Sequence, residues 1–148
     1  MRSDFHIISK VLPLVMVLVQ SADEELFTHL QTAGVEPFFA TSLLITWFSH
    51  DLKCVDEISR VFDALLCSHP SFCLYLCAAF VIHHRDKILE VECDFASLHS
   101  FLVNAPTNLG VPFEEILFCA DFLFKRVPPS KLVAMAGAQF GALVKKNE

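Results

Sequence analysis

The sequence predicts an all-α protein, and three observations carry that expectation. Apolar residues recur at the helical spacing, as in Ile58, Val61, Phe62, Leu65 and Leu66. Helix-breaking residues fall between such runs, at Gly34, Pro37, Pro70, Pro112 and Pro128-Pro129. No segment alternates apolar and polar residues for long enough to make a strand.

Taken in order, Phe5–Val19 is apolar on nearly all sides, and Pro13 is expected to kink it or end its first part. Ser21-Ala22-Asp23-Glu24 has the spacing of a capping box, with Ser21 as the cap. The helix it opens carries Leu26, Phe27 and Leu30 and stops at Gly34, a suitable residue for the left-handed position after a helix. Pro37 starts a helix expected to run through Trp47 to about His50, followed by a short polar turn at His50-Asp51. The period then restarts from Asp56 to Ser68, and Pro70 ends it. Ser71–Arg85 contains Phe72–Ile82, which at eleven residues is far short of the ~20 needed to cross a bilayer and reads as a buried core helix. Asp94 is placed to cap Phe95–Val103. Pro112 sits at the first position of Phe113–Lys125. Ser130 can cap a last, Ala-rich helix toward Val144. Phe39, Leu44, Ile45, Phe48, Ile58, Val61, Phe62, Leu65 and Leu66 are expected to form a core where two of these helices cross.

Composition narrows the function. The 148 residues are 54% hydrophobic and only 19% charged, against about 45–50% apolar and 25% charged in an average domain. The apolar excess suggests a chain built to bury more surface than it can cover alone, and hence self-association through exposed apolar faces, with Phe5–Val19 and Phe72–Ile82 as the contributors. A formal charge of −6 and scattered cations oppose nucleic-acid binding. Four separated glycines make no phosphate loop. Ile7–Val19 imitates a secretory signal, but Asp4, Lys10, Pro13 and Gln20 break its pattern. A secreted helical protein would also need oxidised cysteines. Here the six cysteines fall mostly in apolar helical runs, which favours a reduced, cytoplasmic compartment.

The residues also test for chemistry. Cys67, His69, Cys73, Cys77, His83 and His84 invite a zinc reading, yet Cys73 and Cys77 lie within one apolar helix and no second short Cys spacing accompanies them. No metal and no cofactor are expected, and no Cys–His pair has an orienting Asp or Asn beside it. Glu90, Glu92 and Asp94 form an acidic cluster, read most simply as a solvated turn.

The stretch Leu43–Asp63, LLITWFSHDLKCVDEISRVFD, is the most informative in the chain. Its Thr46-Trp47-Phe48-Ser49, followed by Arg60-Val61-Phe62-Asp63, resembles the TBC domain, which activates Rab GTPases. Phe38-Phe39-Ala40 before it and Phe62–Pro70 after it extend the likeness. Within the family, this spelling and Cys93–His99 are most similar to the endoplasmic-reticulum-associated member. The resemblance spans roughly 5–129 and covers only the C-terminal half of such a domain, with 130–148 as a terminal helix and tail. It implies a helical orthogonal, bundle-like array and a Rab-type small GTPase as partner. It further implies GTPase activation in vesicle traffic, at the cytoplasmic surface of the endoplasmic reticulum or Golgi. Family members act through an Arg and a Gln in patterns of the form Ile-x-x-Asp-x-x-Arg and Tyr-x-Gln. Arg2, Arg60, Arg85 and Arg126 do not fit the first, and Tyr75 is followed by Leu76-Cys77. The expectation is therefore a regulator that is not an enzyme and is inactive alone, or a non-catalytic helical interaction module. Trp47 reads as a partner-facing anchor or as a core residue. Arg60 and Asp63, three apart on one helix, either pair locally and with a neighbouring helix or touch the GTPase.

Overall fold

The computed structural model describes residues 2–49 and 52–146, with side chains at 9–49 and 52–138; the expected turn His50-Asp51 lies outside them. The elements are α1 (Arg2–Ala22), α2 (Glu24–Thr32), a 3-10 turn (Pro37–Ala40), α3 (Thr41–Thr46), α4 (Val55–Leu66), α5 (Phe72–His83), α6 (Arg85–Glu90), α7 (Phe95–Leu109), α8 (Phe113–Arg126) and α9 (Pro129–Lys146). The described residues contain no strand. The fold is all-α, as the periodicity implied.

The apolar run Phe72–Val81 makes α5 a helix with no side for water, and all of it is buried. α8 and α1 make its most extensive contacts. Its one hydroxyl is satisfied: Tyr75 Oη donates to the Val127 carbonyl at 2.6 Å, at the break between α8 and α9. The Phe124 ring meets Tyr75 edge-on at 5.1 Å and Phe72 at 5.9 Å. α1 supplies Leu12, Val15, Leu18 and Val19 to the same core, and α9 lies against α1 with Leu132 and Ala136 buried. Of the two segments expected to expose an apolar face, Phe5–Val19 and Phe72–Ile82, the described apolar side chains are buried or partly buried, so these segments form the centre rather than an open face. The exposed aromatics lie elsewhere, with Phe118 and Phe122 one turn apart on α8.

Several boundaries differ from the sequence expectation, each for a local reason. α1 passes through Pro13 without ending. It also continues past Ser21, whose Oγ donates back to the Leu18 carbonyl at 2.7 Å. The cap of α2 is therefore Asp23, in an extended conformation, accepting from the Leu26 N–H at 3.0 Å. Gly34 does end α2 with a φ of 76°, while the Val35 and Gly34 N–H groups bond the Leu30 and Gln31 carbonyls. The single helix expected over Pro37–His50 is a 3-10 turn plus the six-residue α3. α6 went unforeseen because six residues are too few to display a period. α7 runs beyond Val103 to Leu109 and accommodates Pro106, which is buried with Ala105. Pro112 precedes α8 as its cap rather than opening it, and Pro129, not the residue after Ser130, opens α9. Asp94 caps α7 as expected, accepting from Ser97 N–H at 2.9 Å.

The core expected at the α3–α4 crossing is half right. Phe39, Phe48, Val61 and Leu65 are buried, but Ile45 and Leu66 are exposed and Leu44, Ile58 and Phe62 are partly covered. Leu43 takes the inward position because α3 stops early and its phase is set by the turn that follows.

His84 closes α5 and precedes α6, almost wholly buried, with its ring edge-on to Phe80 at 4.7 Å and Nε2 unpartnered. Burial, then the neighbouring His83 and Lys87, holds its pKa below the ordinary histidine value of about 6.5. The unfolded chain therefore binds the proton more readily, and stability falls as pH drops through the unfolded value toward the folded one. Thermal melting should shift to lower temperature between pH 7.5 and 5.5. His84→Leu should flatten that dependence; an unchanged slope would contradict the assignment.

Candidate functional site

The end of α3 is built by an unusual turn. Trp47 and Phe48 both have positive φ, 49° and 65°. A side chain in that left-handed region costs about 1–2 kcal/mol, so the surroundings must hold it there. They do. The Trp47 and Phe48 N–H groups both reach the Leu43 carbonyl, the latter at 3.0 Å, and the Leu52 N–H bonds the Phe48 carbonyl at 3.2 Å. Ser49 Oγ donates to the Thr46 carbonyl at 2.6 Å. Phe48 then buries its ring completely. The same reversal turns Trp47 outward, 37% exposed, edge-on to Phe62 of α4 at 5.6 Å.

Arg60 leaves α4 in another direction. Its Nε donates to Glu114 Oε1 at 2.7 Å and Nη2 to Oε2 at 3.3 Å, a two-pronged pair between α4 and α8. The guanidinium also lies 5.8 Å from the centre of the Phe113 ring. Asp63 is exposed and forms no ion pair with Arg60, although the spacing allows one. At 100° per residue, Arg60 and Asp63 share a flank of α4 while Phe62, with Trp47, occupies another. The three residues singled out by sequence therefore form two neighbouring features rather than one constellation.

Two long-range pairs escaped sequence reading. Glu114 lies 54 residues from Arg60. Arg85 at the start of α6 reaches 62 residues back to Asp23, with Nε donating to Oδ2, and Nη2 donates to Glu25 Oε2 at 2.6 Å. Asp23 thus caps α2 with one oxygen and ties it to α6 with the other. No local spacing announces either pair. A groove of about 430 Å³ opens beside Arg60, between the first turns of α4 and α8.

Little else in the described residues is arranged for chemistry. No three His, Cys, Asp or Glu converge as metal ligands among them. The six cysteines are free thiols, and burial pushes Cys77 and Cys119 up, away from the reactive thiolate. No helix among the described residues is long and apolar enough to cross a membrane.

Residues 1–89 match the Rab-GTPase-TBC domain. TBC1 domain family member 20 of Homo sapiens is 36% identical over 129 residues, 87% of this chain and 32% of that protein. GTPase-activating protein gyp10 of Schizosaccharomyces pombe is 35% identical over 105 residues, 69% of this chain and 28% of the relative. TBC1 domain family member 31 of Oryzias latipes is 39% identical over 102 residues, 68% of this chain and 9% of its own length. The chain spans about a third of the first of these relatives.

The Arg60–Glu114 pair is exposed on both sides, 46% and 68%, where such pairs are worth at most about 1 kcal/mol. Glu114→Gln should therefore shift stability by less than about 1 kcal/mol in denaturant melts. A larger loss would mean that the pair, rather than the apolar core, joins α4 to α8.

Proposed function

The chain belongs to the Rab-GTPase-TBC family, and on that premise we propose that it serves as a Rab-binding portion of a GTPase-activating protein without itself supplying the catalytic Arg and Gln. The observation that carries this reading is the turn at Trp47, inside the matched region: a strained backbone holds a large aromatic ring at the surface. Strain of this kind gathers at functional sites, and Trp is enriched among residues that dominate binding energy. Arg60 and Asp63 flank the same helix and belong to the proposed contact, with Arg60 also joining α4 to α8.

The non-catalytic part rests on what the residues offer. An arginine finger must reach into the GTPase to spread charge over the transferring phosphoryl group. Arg60 is engaged by Glu114, and Arg85 by Asp23 and Glu25. The Tyr75 hydroxyl, the sole tyrosine, is buried against Val127. The proposed place of action is the cytoplasmic surface of the endoplasmic reticulum or Golgi, in vesicle traffic. This follows the likeness of Leu43–Asp63 and Cys93–His99 to the endoplasmic-reticulum-associated member.

Phosphate release from a panel of GTP-loaded Rabs, with and without the chain, tests the catalytic half of the proposal. Rates should be unchanged, and a rise of roughly tenfold would overturn it. Binding to immobilised GTP-loaded Rabs tests the other half. At least one Rab should be retained, and Trp47→Ala should weaken that complex by tenfold or more, the scale of an interface anchor. Failure to bind any Rab would refute the partner.

Self-association is a second proposal for the surface. Phe118, 79% exposed, and Phe122 stand one turn apart on the outer side of α8. Light scattering at ~100 μM, where exposed apolar surface drives association, should show species larger than a monomer. Phe118→Ser with Phe122→Ser should remove them; a monomeric parent chain would end the proposal.

A further inference from the structure

The groove between the first turns of α4 and α8 has an apolar floor of Val111, Pro112 and Phe113 and an acidic rim. Asp56 and Glu57 lie on the α4 side, and Glu114 and Glu115 on the α8 side. Arg60 is the one cation lining it. Spacing on α4 would let Arg60 answer Asp56 four residues earlier, in the favourable acid-first order, or Glu57 three earlier. Instead its guanidinium crosses to Glu114 with both nitrogens engaged, and Glu115 faces the His83 Nε2 at 3.4 Å. Among the described residues Asp56 and Glu57 are left with no cationic partner. We propose that this groove docks a segment of a partner protein that carries Lys or Arg next to an apolar side chain.

The charge arrangement chooses that occupant. An apolar side chain on Val111, Pro112 and Phe113 would leave the floor dry, and an adjacent cation would meet the two uncompensated carboxylates of α4. An acidic or neutral segment would gain the floor and meet repulsion or nothing at the rim. The exposed Arg60–Glu114 pair limits the groove on one side and keeps Arg60 from neutralising it from within. First-turn carboxylates also favour their own helix electrostatically, but that effect needs no floor beside it and no missing counter-charge. The groove shares Arg60 with the proposed Rab contact, but its floor and its two unanswered carboxylates lie away from Trp47 and Phe62, so peptide binding here and Rab binding at Trp47 are tested separately.

Fluorescence anisotropy with short labelled peptides tests it on the whole chain. A Lys/Leu peptide should bind at low salt, while a Glu/Leu peptide should not, and a Lys/Ser peptide should bind at least tenfold more weakly than Lys/Leu. Asp56→Asn with Glu57→Gln should weaken Lys/Leu binding by tenfold or more. Glu36→Gln with Glu92→Gln, an equal change of net charge on exposed residues away from the groove, should leave it unchanged. Unaltered helical dichroism and melting would show that both variants are folded; should the groove pair fail that check, broadening of Val111 methyl resonances by the peptide in the parent chain decides instead. Equal binding of Lys/Ser and Lys/Leu would reduce the effect to charge alone and overturn the proposal. So would equal losses in both variant pairs, or an unperturbed Val111.

Discussion

An α-helix with no polar face persists in water only if neighbours cover it on every side. α5 sets that demand for this chain. It is met from both directions of the sequence, by α1 far upstream and α8 far downstream, so the N-terminal and C-terminal parts are joined through one buried element. Tyr75 shows how strict the enclosure is, since its hydroxyl is tolerated only because the α8–α9 break offers a carbonyl in reach. The break at Pro128-Pro129 therefore does more than end a helix. It supplies the acceptor that lets an aromatic residue with a polar tip sit among Phe72 and Phe124.

With the interior claimed by α5, the shorter elements decide what reaches the surface. α3 is too short to hold its own geometry, and the positive φ angles at Trp47 and Phe48 divide two adjacent aromatics, one wholly inside and one outward. A regular helix through the same residues would place them 100° apart and could not separate them so fully. The strain is thus tied to a distinct outcome: an aromatic surface formed by Trp47 and Phe62, in the part of the chain that matches the Rab-GTPase-TBC family.

Charge is distributed by the same tertiary logic. Both long-range arginine pairs act at helix beginnings, Arg60 at the start of α8 and Arg85 at the start of α2, where carboxylates are already favoured by the helix dipole. Arg60 neutralises an acid on a distant element rather than on its own, and Arg85 reaches back to Asp23 and Glu25 while also meeting Asp86 beside it. That choice ties α6 to α2, and it leaves part of the acidic first turn of α4 unanswered beside an apolar floor.

Composition and local pattern alone determined a good deal: the all-α class, the helical, all-round apolar character of Phe72–Val81, the stop at Gly34, the Asp94 cap, and the kinship written in Thr46–Ser49 and Arg60–Asp63. These depend on interactions within a few residues, which a linear sequence displays. The capping of α2 by Asp23 rather than Ser21, the early end of α3, and the passage of α7 through Pro106 were decided by tertiary structure. So were the exposure of Ile45 and Leu66 and the partnership of Arg60 with Glu114. In each case more than one local option was open to the sequence. Packing around α5, and contacts reaching across more than fifty residues, were enough to select between them.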